Sequence, residues 1–140
     1  MTDIVNIRNN INNYYKNKKE EYLKHKQKTN RDRYSKYYSS KQWHDLRNRY
    51  YSIHPICEVC ERQGLIRPAD HIHHKKRFLS GINETAKWRL LLNPTNLLAV
   101  CERHHKYAHE YMNKYNTDTA DIEEIIQYEE ELNNIMTVKG

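Results

Sequence analysis

Two short motifs have the spacing of metal ligands, and together they hold all three cysteines of the chain. The first is Cys57-x-x-Cys60, and the second is Cys101-x-x-His104, followed directly by His105. Structural zinc sites are tetrahedral and commonly take Cys and His ligands as two such pairs. The spacing therefore predicts a zinc site with three cysteines and one histidine. Its fourth ligand stays open, because His105 could replace His104.

A second group of reactive side chains lies between the two motifs and just after the second one. Its members are Asp70, His71, His73, His74, Asn93, Asn96, His105 and His109. Imidazole is the commonest metal ligand in proteins, and its pKa near neutrality also suits a general base. This group therefore indicates a second centre, separate from the zinc site, at which histidines could carry out a reaction.

Positive charge is concentrated in the first two thirds of the chain. Residues 1–56 contain 13 Lys/Arg against 5 Asp/Glu, residues 57–109 contain 9 against 5, and residues 110–140 contain 2 against 8. A basic body with interleaved tyrosines, of which the chain has 12, is typical of a protein that binds a phosphate backbone. An ordinary solvated surface is the alternative. The expected DNA contacts are Arg47, Arg49, Lys75, Lys76 and Arg77.

Length and composition favour one small domain with an arm or tail. Only 37% of the 140 residues are hydrophobic, so a metal would help to stabilise a small core. Three cysteines without a secretory segment favour thiolate ligation over disulfides. No apolar run reaches the length that spans a bilayer. We therefore expect a soluble, cytoplasmic protein without a membrane partner.

The first predicted elements are helices. Ile4, Ile7, Ile11 and Tyr14 recur at helical spacing, which is a weak amphipathic signal. The basic arm of residues 1–37 is therefore expected to be helical, or to become ordered only on DNA. Farther along the chain, a capping box with Ser39 as N-cap and Gln42 at its third position predicts a helix over residues 40–52.

The reactive residues fall on later predicted elements. The histidine-rich segment is expected to be a strand, residues 79–87 a polar loop, and Leu97–Val100 a second strand. A helix beginning at about Glu102 would present His105 and His109 one turn apart. The last expected element is an acidic helix within residues 113–140.

Several motifs together resemble the HNH (ββα-metal) endonucleases, especially the small phage-type members with a zinc knuckle. The resemblance covers about residues 38–110, and residues 38–112 form the expected nuclease domain. The motifs that carry it are Trp43-x-x-Leu46-Arg47, Pro55-x-Cys57-x-x-Cys60, Gly64, Pro68-Ala69, His73-His74, Asn96-Leu97 and Cys101-x-x-His104-His105.

The resemblance implies both a fold and an activity. The fold would be α+β, with two antiparallel strands and a helix around one divalent cation. A Cys3His zinc site would stabilise this core, and helices would flank it at both ends. The activity would be metal-dependent hydrolysis of phosphodiester bonds in DNA, with Mg²⁺, Mn²⁺ or another divalent cation in addition to zinc.

The family places a metal ligand directly before its histidine base, and two positions in this chain fit that pattern. His73 as ligand and His74 as base match the family's spacing from Pro68-Ala69 and from the first cysteine pair. Asp70 as ligand and His71 as base form the alternative. Both assignments remain open on the sequence alone, with the first favoured.

The roles of Asn96 and His105 also come from the resemblance, whereas that of His109 follows from its position one helical turn after His105. Asn96 corresponds to the asparagine that braces the loop beside the base, and Asn93 is a weaker candidate. His105 corresponds to the ligand on the helix, and His109 would be a third ligand or a phosphate contact. The chain departs from the family at His104, where a cysteine is usual. It departs again after His74, where a Lys-Lys-Arg run replaces an apolar-Pro continuation.

Two other functions compete with a nuclease. One is a zinc-knuckle module that binds DNA without cutting it, and the other is an interaction protein whose acidic tail docks on a basic partner or shields its own DNA-binding groove. Family members in phage genomes act in packaging, homing or restriction, so a phage- or mobile-element-encoded protein of a bacterial host is expected. The sequence leaves open the oligomeric state, the DNA sequence recognised, and a phage or host protein partner.

Overall fold

The computed structural model describes the backbone of residues 4–139 and the side chains of residues 8–21 and 33–135. The first three residues of the predicted arm and the last residue of the predicted tail lie outside this range. The described chain is α+β: it is mostly helical and contains one two-stranded sheet. It forms two compact units, residues 1–39 and residues 40–140.

The first unit is a single long helix, α1 (Ile4–Tyr38). Of the residues that predicted an amphipathic helix, Ile11 and Tyr14 are exposed. Ile4 and Ile7 lie outside the residues whose side chains are described. The helical spacing thus corresponds to a helix, but its weak apolar stripe marks no buried face at Ile11 or Tyr14. Within the described chain, no helix combines the length and the apolar character needed to cross a membrane.

Helix α2 (Lys41–Ile53) begins the second unit and confirms the helix predicted over residues 40–52. Its N-cap is Ser40, not Ser39 as predicted, because the Ser40 side chain accepts a hydrogen bond from the backbone N–H of Trp43. The cap is therefore displaced by one residue. Trp43 and Leu46 are buried, since they share the inner face of the helix.

A short helix that the sequence did not predict, α3 (Glu58–Arg62), carries the first metal-ligand motif. Cys57 caps it, and its Sγ accepts a hydrogen bond from the backbone N–H of Cys60. After the helix, Gly64 adopts a φ of +78°, in the left-handed region that favours glycine. The backbone N–H of Leu65 then bonds to the carbonyl of Cys60, which closes the knuckle.

The two predicted strands are confirmed and form an antiparallel pair. Strand β1 (His71–His74) pairs with β2 (Leu97–Val100), with His71 opposite Val100 and His74 opposite Leu97. All four residues of β2 are buried. Successive residues of a strand point to opposite faces, so β1 presents alternate histidines to two different environments.

The chain between the strands contains more helix than the sequence predicted. A 3-10 turn at Phe78–Ser80 is followed by helix α4 (Glu84–Leu92) and a second 3-10 turn at Pro94–Asn96. The prediction of a polar loop over residues 79–87 was therefore wrong in its second half. The helix begins where it does because Asn83 caps it, accepting a hydrogen bond from a backbone N–H three residues on.

Two helices complete the second unit and enclose its core. Helix α5 (Glu102–Lys114) directly follows β2 and contacts both strands, and helix α6 (Ile122–Lys139) packs on α5. Both helices were predicted. The buried apolar side chains that join the strands to these helices are Leu98, Val100, Ala108, Met112 and Ile125.

The segment between these helices, residues 115–121, is called the return segment here because it comes back to the end of β1. The backbone N–H of Ala120 bonds to the carbonyl of Lys75, and the backbone N–H of Arg77 bonds to the carbonyl of Asp118. These bonds align the return segment with the basic run that follows β1. The start of α6 is thereby held close to the histidine-rich strand.

Candidate metal centres

Four buried side chains bring their donor atoms together between α3 and α5. The Nδ1 atom of His104 lies 3.5, 3.4 and 3.3 Å from the Sγ atoms of Cys57, Cys60 and Cys101. The Sγ atoms of Cys60 and Cys101 are 3.9 Å apart. Tetrahedral zinc with ordinary bond lengths would place S and N about 3.5 Å apart and two S atoms about 3.8 Å apart. The four donors therefore fit one zinc ion.

This arrangement selects one of the two histidines that the sequence left open. His104 is fully buried among the sulfur atoms, whereas His105, the next residue of α5, belongs to a different group of histidines. Adjacent residues of a helix are turned by about 100°, so only one of them can face the knuckle. The Cys3His set predicted with His104 is the one found in the structure.

The pKa values of Cys57 and Cys60 are shifted in opposite directions. Burial acts to raise the pKa of Cys57, but hydrogen bonds from His104 and from backbone amides outweigh burial and lower it to about 6. For Cys60, burial and the adjacent Cys57 raise the pKa to about 12. A thiolate at Cys57 therefore disfavours a second thiolate at Cys60. A divalent cation bound among the sulfur atoms would offset this repulsion between negative charges.

A second group of donors, called the three-histidine cluster here, consists of His73 on β1 and of His105 and His109 on α5. One ligand nitrogen from each of these residues falls within 4.8 Å of the others. The Nε2 atoms of His105 and His109 are 3.0 Å apart, because these residues are one helical turn apart. The Nε2 atom of His73 lies 2.9 Å from the carbonyl of Ala120. A carbonyl only accepts, so Nε2 carries the proton and Nδ1 keeps a lone pair.

The electrostatics of the three-histidine cluster favour neutral imidazoles. Burial, together with the neighbouring histidines, lowers the pKa of His73 to about 3 and that of His105 to about 4. Burial, Arg77 and His71 lower the pKa of His109 as well. Neutral imidazole is the form that coordinates a metal. The cluster could therefore accept a divalent cation at neutral pH without first losing protons.

His74 follows His73 directly but lies in a different environment, as strand alternation requires. Its ring packs between Trp43 and Phe78, with ring centroids 5.0 and 5.2 Å away. Its Nε2 atom lies 3.2 Å from the carbonyl of Leu91, so this nitrogen carries the proton and the other keeps a lone pair. Burial lowers the pKa of His74 to about 4. His74 is therefore an oriented, neutral imidazole.

Asn96 braces the backbone on both sides of that imidazole. Its Oδ1 accepts a hydrogen bond from the N–H of Lys76, and its Nδ2 donates to the carbonyls of Lys76 and Leu90. Lys76 follows His74 by two residues, and Leu90 precedes the residue whose carbonyl holds the His74 ring. Asn93, the weaker candidate, is exposed and caps the turn at Pro94–Asn96 instead.

Replacing Asn96 by alanine should destabilise this loop much more than the same change at Asn93. Asn96→Ala leaves three backbone groups without their partner, so we expect a loss of about 2–4 kcal/mol in the free energy of unfolding. Asn93→Ala removes an exposed cap and should cost about 1 kcal/mol or less. Urea denaturation of the zinc-loaded variants measures both values. Equal losses would contradict the bracing role of Asn96.

The alternative pair, Asp70 and His71, lies beside the three-histidine cluster. The Oδ2 atom of Asp70 accepts a hydrogen bond from the backbone N–H of Glu102, so Asp70 caps the start of α5 and is not among the clustered donors. His71 is exposed, and its ring stacks on that of His105 with centroids 4.5 Å apart. His71 thus borders the cluster on its solvent side.

The five residues predicted to contact DNA differ in their surroundings. Arg47 and Arg49 are exposed on α2, and the Arg47 guanidinium lies over the ring of Tyr51. Lys76 is exposed directly after the strand. All three side chains are accessible to a DNA phosphate, because none of them is buried.

Lys75 and Arg77, the other two, are paired with carboxylates of the return segment. Lys75 Nζ lies 3.8 Å from Asp121, and Arg77 Nη1 lies 3.9 Å from Asp118. Ion pairs of this partly exposed kind contribute about 0–1 kcal/mol, so a DNA phosphate could replace the carboxylates. The return segment therefore competes with DNA phosphates for Lys75 and Arg77, but it does not prevent these two side chains from binding DNA.

Two groups at these centres were not predicted from the sequence. The carbonyl of Ala120, which holds His73, belongs to the backbone and leaves no sequence signal. Glu129, whose Oε2 lies 2.7 Å from Nε2 of His104, did leave one. It lies three and four residues after Ile126 and Ile125, and so on the apolar face of α6. A carboxylate on such a face is unusual and indicates a specific partner.

The two centres share element α5 but use different donors and different surroundings. One is a buried set of three thiols and an imidazole, and the other is a half-buried set of three imidazoles beside basic side chains. The chain matches no protein-family model, no curated protein and no solved structure, so its function is argued from these centres.

Proposed function

We propose that this chain is a metal-dependent DNA endonuclease of the HNH type. The observation that carries the proposal is the convergence of His73, His105 and His109 in one cluster, with the ordered imidazole of His74 at the next position of β1. The resemblance to HNH endonucleases assigns His73 and His105 to the cation and His74 to the general base. His109 joins them because it lies one helical turn after His105. The proposed catalytic domain is residues 38–112.

The element order supports this proposal. Strands β1 and β2 are antiparallel, and α5 follows β2 directly and contacts both strands. Two antiparallel strands and a helix are the elements that the resemblance implies. The first ligand comes from β1, and the other two come from α5. The buried Cys3His centre lies at the start of the same helix and would fix its position.

The reaction would add water across one P–O bond of DNA. A new bond forms between the water oxygen and phosphorus, and the bond from phosphorus to the leaving sugar oxygen breaks. His74 would take the proton of the attacking water, through the ring nitrogen that does not bond to Leu91. A Mg²⁺ or Mn²⁺ ion at the three-histidine cluster would supply positive charge to the phosphate and to the leaving oxygen.

The basic surface supports DNA as the substrate. Arg47, Arg49 and Lys76 are exposed, and Lys75 and Arg77 have weak carboxylate partners. Because Lys and Arg contacts to phosphate release counterions, binding should weaken steeply as salt increases. Such contacts carry no sequence information, so the proposal specifies no recognition sequence.

Cleavage of supercoiled plasmid tests the proposal. The zinc-loaded wild-type chain should nick the plasmid with Mg²⁺ or Mn²⁺ and not when neither ion is added. His105→Ala removes one cluster ligand and should slow nicking by about a hundredfold, since a cation supplies several kcal/mol to the transition state. His44→Ala changes an exposed histidine of α2 outside the cluster and serves as the matched control.

One result would overturn the nuclease assignment. The folded, zinc-loaded wild-type chain would bind DNA in a gel-shift assay but would cut no plasmid with Mg²⁺, Mn²⁺, Co²⁺ or Ni²⁺. The chain would then be the competing zinc-knuckle DNA-binding module. Equal nicking by wild type and His105→Ala would point instead to a contaminating nuclease.

A further inference from the structure

The acidic helix α6 reaches directly into the Cys3His centre through Glu129. The Oε2 atom of Glu129 lies 2.7 Å from Nε2 of His104. His104 is fully buried, and the side chain of Glu129 is only 13% exposed. A buried carboxylate is costly unless it is paired and hydrogen-bonded, so this contact is specific and not an ordinary surface ion pair.

The contact determines which nitrogen of His104 faces a metal. Nδ1 lies within 3.5 Å of all three Sγ atoms, while Nε2 points to the carboxylate. A carboxylate only accepts, so Nε2–H donates to Glu129, and Nδ1 is left as the nitrogen that can give its lone pair to a metal among the sulfur atoms. A thiolate ligand has no second donor group, whereas a buried histidine ligand needs a partner for its other nitrogen.

Glu129 is itself held by groups on both other helices of the centre. Gln63, at the C-cap of α3, donates its Nε2–H to Glu129 Oε2 over 3.0 Å. Arg103, which precedes His104 on α5, places Nη2 3.2 Å from Glu129 Oε1. The carboxylate therefore joins α3, α5 and α6 around a single imidazole, and its own position is fixed by two polar partners.

We propose that Glu129 is a positioning residue of the Cys3His metal centre. It holds the His104 imidazole in the tautomer and orientation that present Nδ1 to the metal. Metal binding and the docking of α6 are then coupled, and the acidic helix is part of the centre. This inference concerns zinc binding alone and does not depend on nuclease activity.

Zinc affinity of the full chain, measured by competition with a chromophoric chelator, tests this role. Loss of an outer partner of a ligating histidine typically weakens metal binding by about 10–100-fold, and we expect that loss for Glu129→Ala. Glu129→Gln keeps an oxygen that accepts the Nε2–H, so it should restore affinity to within about fivefold of wild type. Glu131→Ala is the matched control, because Glu131 lies on α6 like Glu129 but pairs with Lys114 of α5, away from the Cys3His centre.

A second measurement covers the case in which Glu129→Ala does not fold. In zinc-loaded wild type, long-range ¹H–¹⁵N spectra should show a protonated Nε2 on His104 that is protected from exchange. The inference is overturned if His104 proves to be protonated on Nδ1. It is equally overturned if Glu129→Ala binds zinc as tightly as wild type, or if Glu131→Ala weakens binding as much as Glu129→Ala.

Discussion

Removal of zinc with a strong chelator is expected to unfold residues 40–140 of the full chain. Structural zinc contributes about 10–16 kcal/mol of apparent binding free energy, which is as large as the whole stability of an ordinary domain, about 5–15 kcal/mol. The core of this unit is small, and it packs directly on Cys57, Cys60 and Cys101. Loss of the metal therefore leaves this core without the ion that would hold its three cysteines together.

Near-ultraviolet circular dichroism would follow the loss of tertiary structure, and metal analysis would count the zinc released. We expect one zinc ion per chain with the Cys3His site and a melting transition that disappears with its removal. His104→Ala should lose zinc and unfold in the same way. His105→Ala is the matched control, and it should keep both zinc and fold. A chelated chain that still melts cooperatively would contradict this prediction.

His74→Ala should reduce plasmid nicking by about 10²–10⁴-fold, the usual contribution of a positioned general base. The ring of His74 is held by the Leu91 carbonyl and by Trp43 and Phe78, and Asn96 braces the loops on either side. DNA binding should change little, because the charged surface remains. A gel-shift assay beside the cleavage assay separates these two effects.

His71→Ala is the decisive control, because His71 is the base in the competing assignment. We expect it to retain nicking within about tenfold of wild type, since His71 borders the three-histidine cluster without a place in it. Added imidazole should partly restore nicking by His74→Ala, because the missing ring leaves a cavity of its own size. Nicking lost in His71→Ala and kept in His74→Ala would transfer the base to His71.

Spacing along the chain was enough to predict the composition of the zinc site. Each pair of ligands lies within one turn of a helix start, and such local geometry follows from sequence separation alone. The histidine-rich segment and the short apolar run Leu97–Val100 predicted β1 and β2, and the helix that follows them was predicted as well. Spacing could not distinguish His104 from His105, because both follow Cys101 closely and only the packing of α5 on the knuckle turns one of them inward.

Local predictions failed where two similar residues compete or where a helix has weak periodicity. Ser39 and Ser40 both have capping side chains, and the backbone at Ser40 is the one that turns into α2. The start of α4 depends on the single cap at Asn83, which the polar composition of that stretch concealed. In both places the energies involved are about 1 kcal/mol, too small to be inferred from residue type alone.

The sequence by itself determined the two motifs that supply the four zinc ligands and the two short strands. It also identified the histidines from which a second centre could be built. Only the tertiary structure decided which histidines meet, that Ala120 holds His73, and that Glu129 holds His104. The physical reason is distance along the chain: these contacts join residues 25 and 47 positions apart. Sequence spacing determines geometry within a turn or a strand, whereas contacts over such separations depend on how the helices pack.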